Sequence, residues 1–393
     1  MTGLLVTGAG VVSAAGLGLT AMTTALTAGS PLRLDVTGLF PQPLPYRSAP
    51  VLASFDARAL LGRKGTSSID RATALSLVAC GQAIEDSGLP VAEMADRVGI
   101  ALGTTVGSLS SSSEYSRETL VAERPYLVNP MLFPNTVMNC AAGHAAIRYG
   151  LRGVNSTVAG GQLAFLGALR YAVNVLRRDY ADAMLVGAVE EFSPHSAWAH
   201  QRLGHEGPPG EAAVIVVLQR PGTPLGDGRR PLAELAAVTS GYRPGGHAAG
   251  PGGRMAACIR QTLARAGLQA GQVGSLAVSE TGGGPVGQEM LAEAEEAAAP
   301  GGSARQVRVR HVLGDCGAAA SALQFVALLA SFADRPADGP PVRPALLAGW
   351  SPEGAFGAAV IREPAASRPP CSRIAEFPGR PADPRLPAGP RVS

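Results

Sequence analysis

Thiols, imidazoles and carboxylates are the side chains of this chain that could do chemistry, and their spacing limits the kind. The five cysteines, Cys80, Cys140, Cys258, Cys316 and Cys371, are scattered, with no CxxC pair and no histidine at zinc-site spacing. An odd, unpatterned set points to reduced thiols in the cytoplasm and not to a disulfide framework. Cys140 and Cys316 stand among small residues, where a thiol packs as a small hydrophobe. The glycine-rich stretch from Gly8 to Gly16 suggests a phosphate-binding turn, but it lacks GxGxxG spacing, and no acidic residue follows at the end of a second strand. These patterns lead us to expect no cofactor and no metal.

The elements that must position any such groups follow from the hydrophobic pattern. Residues 4–7 read as a buried strand, 8–10 as a turn, and 68–86 as a helix ending at Gly88, a C-cap. Short apolar runs at 98–102, 156–158, 183–189 and 212–218 predict strands, several buried on both faces, while 141–149 and 162–177 predict helices. A Pro/Gly-rich junction at 221–230 precedes a second set, with strands at 232–238, 276–279 and 358–361 and helices near 255–266 and 317–332. The pattern therefore predicts two α/β halves in tandem, 1–225 and 226–363, and a flexible Pro- and Arg-rich tail over 364–393. With 46% hydrophobic and only 16% charged residues the chain is no disordered segment, and a net charge of +3 gives no argument for nucleic acid. The apolar run 4–25 lacks a basic leading segment and is interrupted by Gly and Thr, so neither a signal peptide nor a membrane span is expected.

Four stretches carry a likeness. They are Val6-Thr-Gly8-Ala-Gly10-Val-Val-Ser13; Asp70-Arg71 with Asp86-Ser-Gly88; the long run from Phe133-Pro-Asn135 through Gly143-His144 to Arg152-Gly153; and Gly210-Glu211-Ala-Ala. In this order they resemble the β-ketoacyl synthases of the thiolase superfamily, over residues 3–362. The resemblance implies an α/β chain with a thiolase-like, pseudo-duplicated five-layer αβαβα fold.

Decarboxylating condensation needs a cysteine at a helix N-terminus to carry the acyl thioester, and two histidines for decarboxylation and oxyanion stabilisation. In the family pattern the cysteine position falls on Gln162, the first histidine on Glu280 and the second on Asp315. The family's aspartate and lysine positions fall on Gln288 and Arg310. Glutamine cannot form the thioester. The resemblance gives His144 a structural role, and His311 could replace the second histidine only through a register shift. Two acids in a closed pocket could share a proton. The family's phenylalanine gate is not reproduced around Trp350 and Phe356.

Glutamine at the cysteine position resembles the chain-length factors of type II polyketide systems. Loading ketosynthases also carry it but keep both histidines. The resemblance implies a cytoplasmic subunit without condensing activity, paired as a heterodimer with an active ketosynthase and serving an acyl carrier protein with its phosphopantetheine-bound acyl chain. Tyr115, Leu120, Tyr126, Met131, Leu132 and Phe133 are the candidates for tunnel wall or interface. Two alternatives stay open: a residual malonyl-thioester decarboxylase or acyltransferase using Glu280 or Asp315, and a self-associating binding or regulatory protein.

Overall fold

The computed structural model describes residues 3–364 apart from 53, 227, 245–252, 281–284 and 334–340, so the expected tail and Cys371 lie outside the described residues. The first half contributes five main strands, Leu4–Ser13, Val98–Thr104, Asn155–Ala159, Ala183–Glu190 and Ala212–Gln219. In space they take the order third, second, fourth, fifth, first. The first four neighbours in that order include only parallel pairs until the fifth strand, which runs antiparallel to both its neighbours. Strands Ala233–Tyr242, Ser275–Val278, Arg305–Gln306, Ala345–Trp350 and Ala355–Arg362 repeat that order and those directions. The same topology built twice is the pseudo-duplication expected from the sequence. Pairing of Leu4, Leu5 and Val6 with Leu235, Glu234 and Ala233 joins the two sheets into one hydrogen-bonded path.

Strand side chains alternate between faces, and both faces here are apolar. In Ala212–Gln219, Val214, Val216 and Leu218 enter the central core, whereas Ala213, Ile215 and Val217 enter an outer one. Helices Arg71–Ser87 and Cys140–Tyr149 cover that outer face, and Arg254–Arg265 and Pro285–Ala298 cover the corresponding face of the second half. Between the sheets lie Ala164–Arg177 and Ala318–Ala333, with the Phe165 and Phe325 rings 5.3 Å apart. Helix, sheet, helix, sheet, helix is the five-layer arrangement.

The turn expected at 8–10 is not there. The strand runs from Leu4 to Ser13 straight through Gly8 and Gly10, with a bulge between Val6 and Gly8. The glycines serve close packing: a Cβ at Gly8 would come within 2.5 Å of Ala83 O, and one at Gly10 would strike Ala79 O. Helix Arg71–Ser87 presses onto the strand and accepts from it, Val11 N donating to Gln82 Oε1 at 2.8 Å and Ala9 N to Asp86 Oδ2 at 2.9 Å. That helix starts at Asp70, whose carboxylate takes the Thr73 amide, and ends at Gly88 in the left-handed conformation, as the cap rules require. The elements that escape the sequence reading include helices Leu109–Val121, Pro194–Arg202 and Pro285–Ala298, and strands Arg305–Gln306 and Ala345–Trp350. No helix among the described residues is long and apolar enough to cross a membrane.

Candidate functional site

Strand Asn155–Ala159 ends in Gly160 and Gly161, the latter at φ +55°, and a turn of 3-10 helix sets Gln162 at the N-terminus of the first central helix. Strand Ser275–Val278 leads to Ser279 and Glu280, and Gly314, Asp315 and Gly317 lead into the second central helix. The duplicated topology thus delivers Gln162, Glu280 and Asp315 to one place between the two central helices. They line a cavity with Ser279, Arg310 and Gln324. Its volume of about 20 Å³ holds roughly one water. Ser321 Oγ donates to Gln162 O at 3.1 Å, stitching the two helix starts together. Gln288 and His311, by contrast, line a separate, more open pocket of about 360 Å³ that shares Ser279, Glu280 and Arg310 with the small one.

The two acids are held differently. Glu280 accepts from the amides of Val309 (2.8 Å) and Arg310 (3.1 Å) and from Gln324 Nε2 (3.0 Å). Burial nevertheless pushes its carboxyl above the ordinary range. Burial would raise Asp315 too, but His200 and the Arg310 guanidinium beside it outweigh that and hold it below the ordinary value. Arg310 Nη2 lies 3.3 Å from Asp315 Oδ2 while Arg310 Nη1 donates to Glu280 O at 2.6 Å. The two acids thus have separate donors, and their environments shift them in opposite directions, with Arg310 in contact with both residues.

No described thiol is poised as a nucleophile. Burial pushes Cys80 up to about 12, Cys140 up to about 11, and Cys316 well above its usual value. Cys316 donates to Leu313 O, and Cys140 to Asn135 Oδ1, each at 3.4 Å. His144 sits half-buried on the outer helix Cys140–Tyr149, not at the cavity.

Of the expected tunnel or interface residues, Tyr115 and Phe133 come together, ring centroids 5.8 Å apart. Leu120, Tyr126, Met131 and Phe133 are exposed, Leu120 by 84%, and Leu132 is half-buried. None of the six lines either cavity. Tyr115 and Leu120 stand on helix Leu109–Val121, which has no buried residue.

Three further groups were not anticipated. Glu190, at the end of its strand, accepts from Thr105 N at 2.6 Å and abuts Gly317, where a Cβ would come within 3.0 Å of Glu190 Cγ. Burial, with the Asp315 charge nearby, raises its carboxyl to about 7. The adjacent Glu191 is also pushed up to about 7, by burial first and then by Asp70. Finally, His200 Nε2 lies 3.6 Å from Asp315 Oδ2, an ion-pair separation too long for a hydrogen bond. Here the expectation that no histidine stands at zinc-site spacing is corrected, because His200 and His205 are separated by four residues, within the three to five common between zinc ligands.

Comparison with known proteins places this geometry. The family model for the β-ketoacyl synthase N-terminal domain matches residues 5–219. The structure titled the ishigamide ketosynthase/chain length factor is similar at 30% identity and a TM-score of 0.81, over 92% of this chain and 100% of that one. A type II polyketide synthase ketosynthase, solved in complex with its acyl-carrier protein, shares the fold at 17% identity and a TM-score of 0.73, over 92% of this chain and 100% of that one. The 3-oxoacyl-[acyl-carrier-protein] synthase 2 of Vibrio cholerae is 30% identical over 191 residues, 48% of this chain and 46% of that protein, so the chain spans about half the length of the curated relatives it matches. Sequence likeness through the first half and structural likeness through both agree with the doubled topology, and the chain belongs to the β-ketoacyl synthase family.

Proposed function

We propose that this chain is a non-condensing, chain-length-factor-like subunit that pairs with an active ketosynthase and walls part of the space in which its acyl chain grows. The observation that carries the reading is the convergence of Gln162, Glu280 and Asp315 on one cavity with room for about one water. Where a condensing enzyme needs a thiolate and two imidazoles, this pocket offers an amide, a donor-saturated acid and an arginine-paired carboxylate. The same saturation speaks against residual decarboxylase or acyltransferase chemistry there.

Pairing is supported by the surface. Among the described residues strand Asn155–Ala159 ends the hydrogen-bonded path, and Ile147, on the helix packed against it, is 82% exposed. An open strand edge beside exposed apolar side chains invites a second chain. Likeness to a ketosynthase/chain length factor suits a ketosynthase as that chain, and likeness to a ketosynthase solved with its acyl-carrier protein suits a carrier-bound acyl group as the substrate of the pair. Tyr115, Leu132 and Phe133 form the part of this face that meets the growing chain.

Co-expression with a candidate partner ketosynthase that carries an intact Cys-His-His set, followed by size-exclusion chromatography and a malonyl-carrier-protein extension assay, tests the reading. A one-to-one complex should elongate only with both chains present and should survive Gln162→Ala. Phe133→Ala and Leu132→Ala should shift its products to greater length. A chain that purifies alone and consumes malonyl thioester by itself would overturn the assignment.

A further inference from the structure

The loop that crosses the second-histidine position brings His200 and His205, which neither the family reading nor the proposed subunit role uses, against Asp315. Helix Pro194–Arg202 is capped at Leu203, Gly204 takes φ +74°, and the amides of Gly204 and His205 donate back to Gln201 O (3.0 Å) and His200 O (3.2 Å). This pair of bonds is a Schellman turn. It folds His205 onto His200, with ring centroids 4.6 Å apart and 29° between planes. Farther along, Gly210 N donates to Asp315 O at 2.7 Å, and Pro209 forms a β-bridge with Asp315, fixing the loop over that residue. One donor atom from each of His200, His205 and Asp315 lies within 4.8 Å of the others. Among the described residues both ring nitrogens of His200 are buried without a hydrogen-bond partner, an uncommon state for an imidazole.

We propose that His200, His205 and Asp315 form a site for a divalent transition metal of the zinc class. Two imidazoles and a carboxylate suit Zn²⁺, whereas Mg²⁺ and Ca²⁺ take oxygen ligands. With bonds of about 2.0–2.2 Å, tetrahedral ligand atoms stand roughly 3.3 Å apart, so the three donors need close by at most about 1.5 Å. His205 is exposed and can turn to do so. The Arg310 guanidinium, 3.3 Å from Asp315 Oδ2, opposes a second cation and would have to turn from the carboxylate when an ion binds. Asp315 Oδ1 accepts from Gly317 N at 3.1 Å, which orients the carboxylate. Three protein ligands leave a fourth position for water or an anion. A bound ion would tie the loop to the start of the second central helix.

The test is isothermal titration of ZnCl₂ into the full chain after treatment with EDTA, with Co²⁺ absorption as a report on geometry. One Zn²⁺ should bind per chain, Co²⁺ should give the intense visible bands of four-coordinate geometry, and Mg²⁺ should not compete. His205→Ala, at an exposed position that should leave the fold intact by circular dichroism, should weaken binding at least tenfold, and Asp315→Asn should do likewise. No saturable uptake, uptake unchanged in His205→Ala, or equal competition by Mg²⁺ would each overturn the site.

Discussion

A carboxyl group that loses its water on folding must find donors or keep its proton, and Glu191 does both. It accepts from Ser108 Oγ (3.0 Å), Ser110 N (3.2 Å) and Ala72 N (3.3 Å), yet burial still raises it to about 7 from an ordinary 4.5. The folded chain therefore holds a proton that the unfolded chain has released between about pH 4.5 and 7. This contribution to stability is complete below the unfolded value and is lost as pH rises through the folded one. Glu191→Gln should flatten that fall by on the order of 2 kcal/mol, read as the wild-type minus variant difference in unfolding free energy between pH 5 and 8. Glu211 represents the opposite solution. Fully buried, it takes a bidentate pair from Arg71 at 2.6 Å and amides from Leu52 and Phe192. Arg71→Met would strand that charge, and denaturant unfolding should show a loss of about 3–5 kcal/mol. At this scale, motif counting found Gln162, Glu280, Asp315, Arg71 and Glu211. It could not find their pairing, because Arg71 and Glu211 are 140 residues apart and nothing local encodes the contact.

Elements were legible where periodicity was long and obscure where it was weak. The doubly apolar strands and the helix Arg71–Ser87 stood out, because a run buried on both faces or a spaced apolar stripe leaves a mark of its own. Leu109–Val121 left none: its Ser-rich sequence buries nothing, and its start at Ser108 is set by a cap that accepts from Ser111 N. Pro194–Arg202 carries a readable signal in Ser193 followed by proline at the first turn. The glycines at 8 and 10 suggest a turn in the sequence, but glycine marks close approach as well as reversal, and only the partner helix decides which. Gly10→Ala forces that helix off the strand. Thermal unfolding should register a loss of about 1–3 kcal/mol or more, with Ala79 and Ala83 as the residues that must move.

At the scale of the whole molecule, the doubled order of strands explains why three residues from distant parts of the chain share one cavity, and why the cavity lies between two helix starts. Among the described residues it also leaves one end of the sheet open at Asn155–Ala159. Ile147→Glu, at a site already 82% exposed, should leave the chain's own unfolding midpoint unchanged within about 0.5 kcal/mol yet remove the co-eluting ketosynthase in size-exclusion chromatography. Loss of both stability and pairing would instead make Ile147 an ordinary packing residue. The seam where Leu4, Leu5 and Val6 meet both Ala212–Gln219 and Ala233–Leu235 has a consequence for synthesis. The first strand emerges from the ribosome some 200 residues before either partner exists. At about 5–20 residues per second it waits roughly 10–40 s with only its last residues paired, to Gly16 and Leu17. Nascent chains stalled before residue 212 should therefore hold a trigger-type holdase that chains released after residue 242 no longer need.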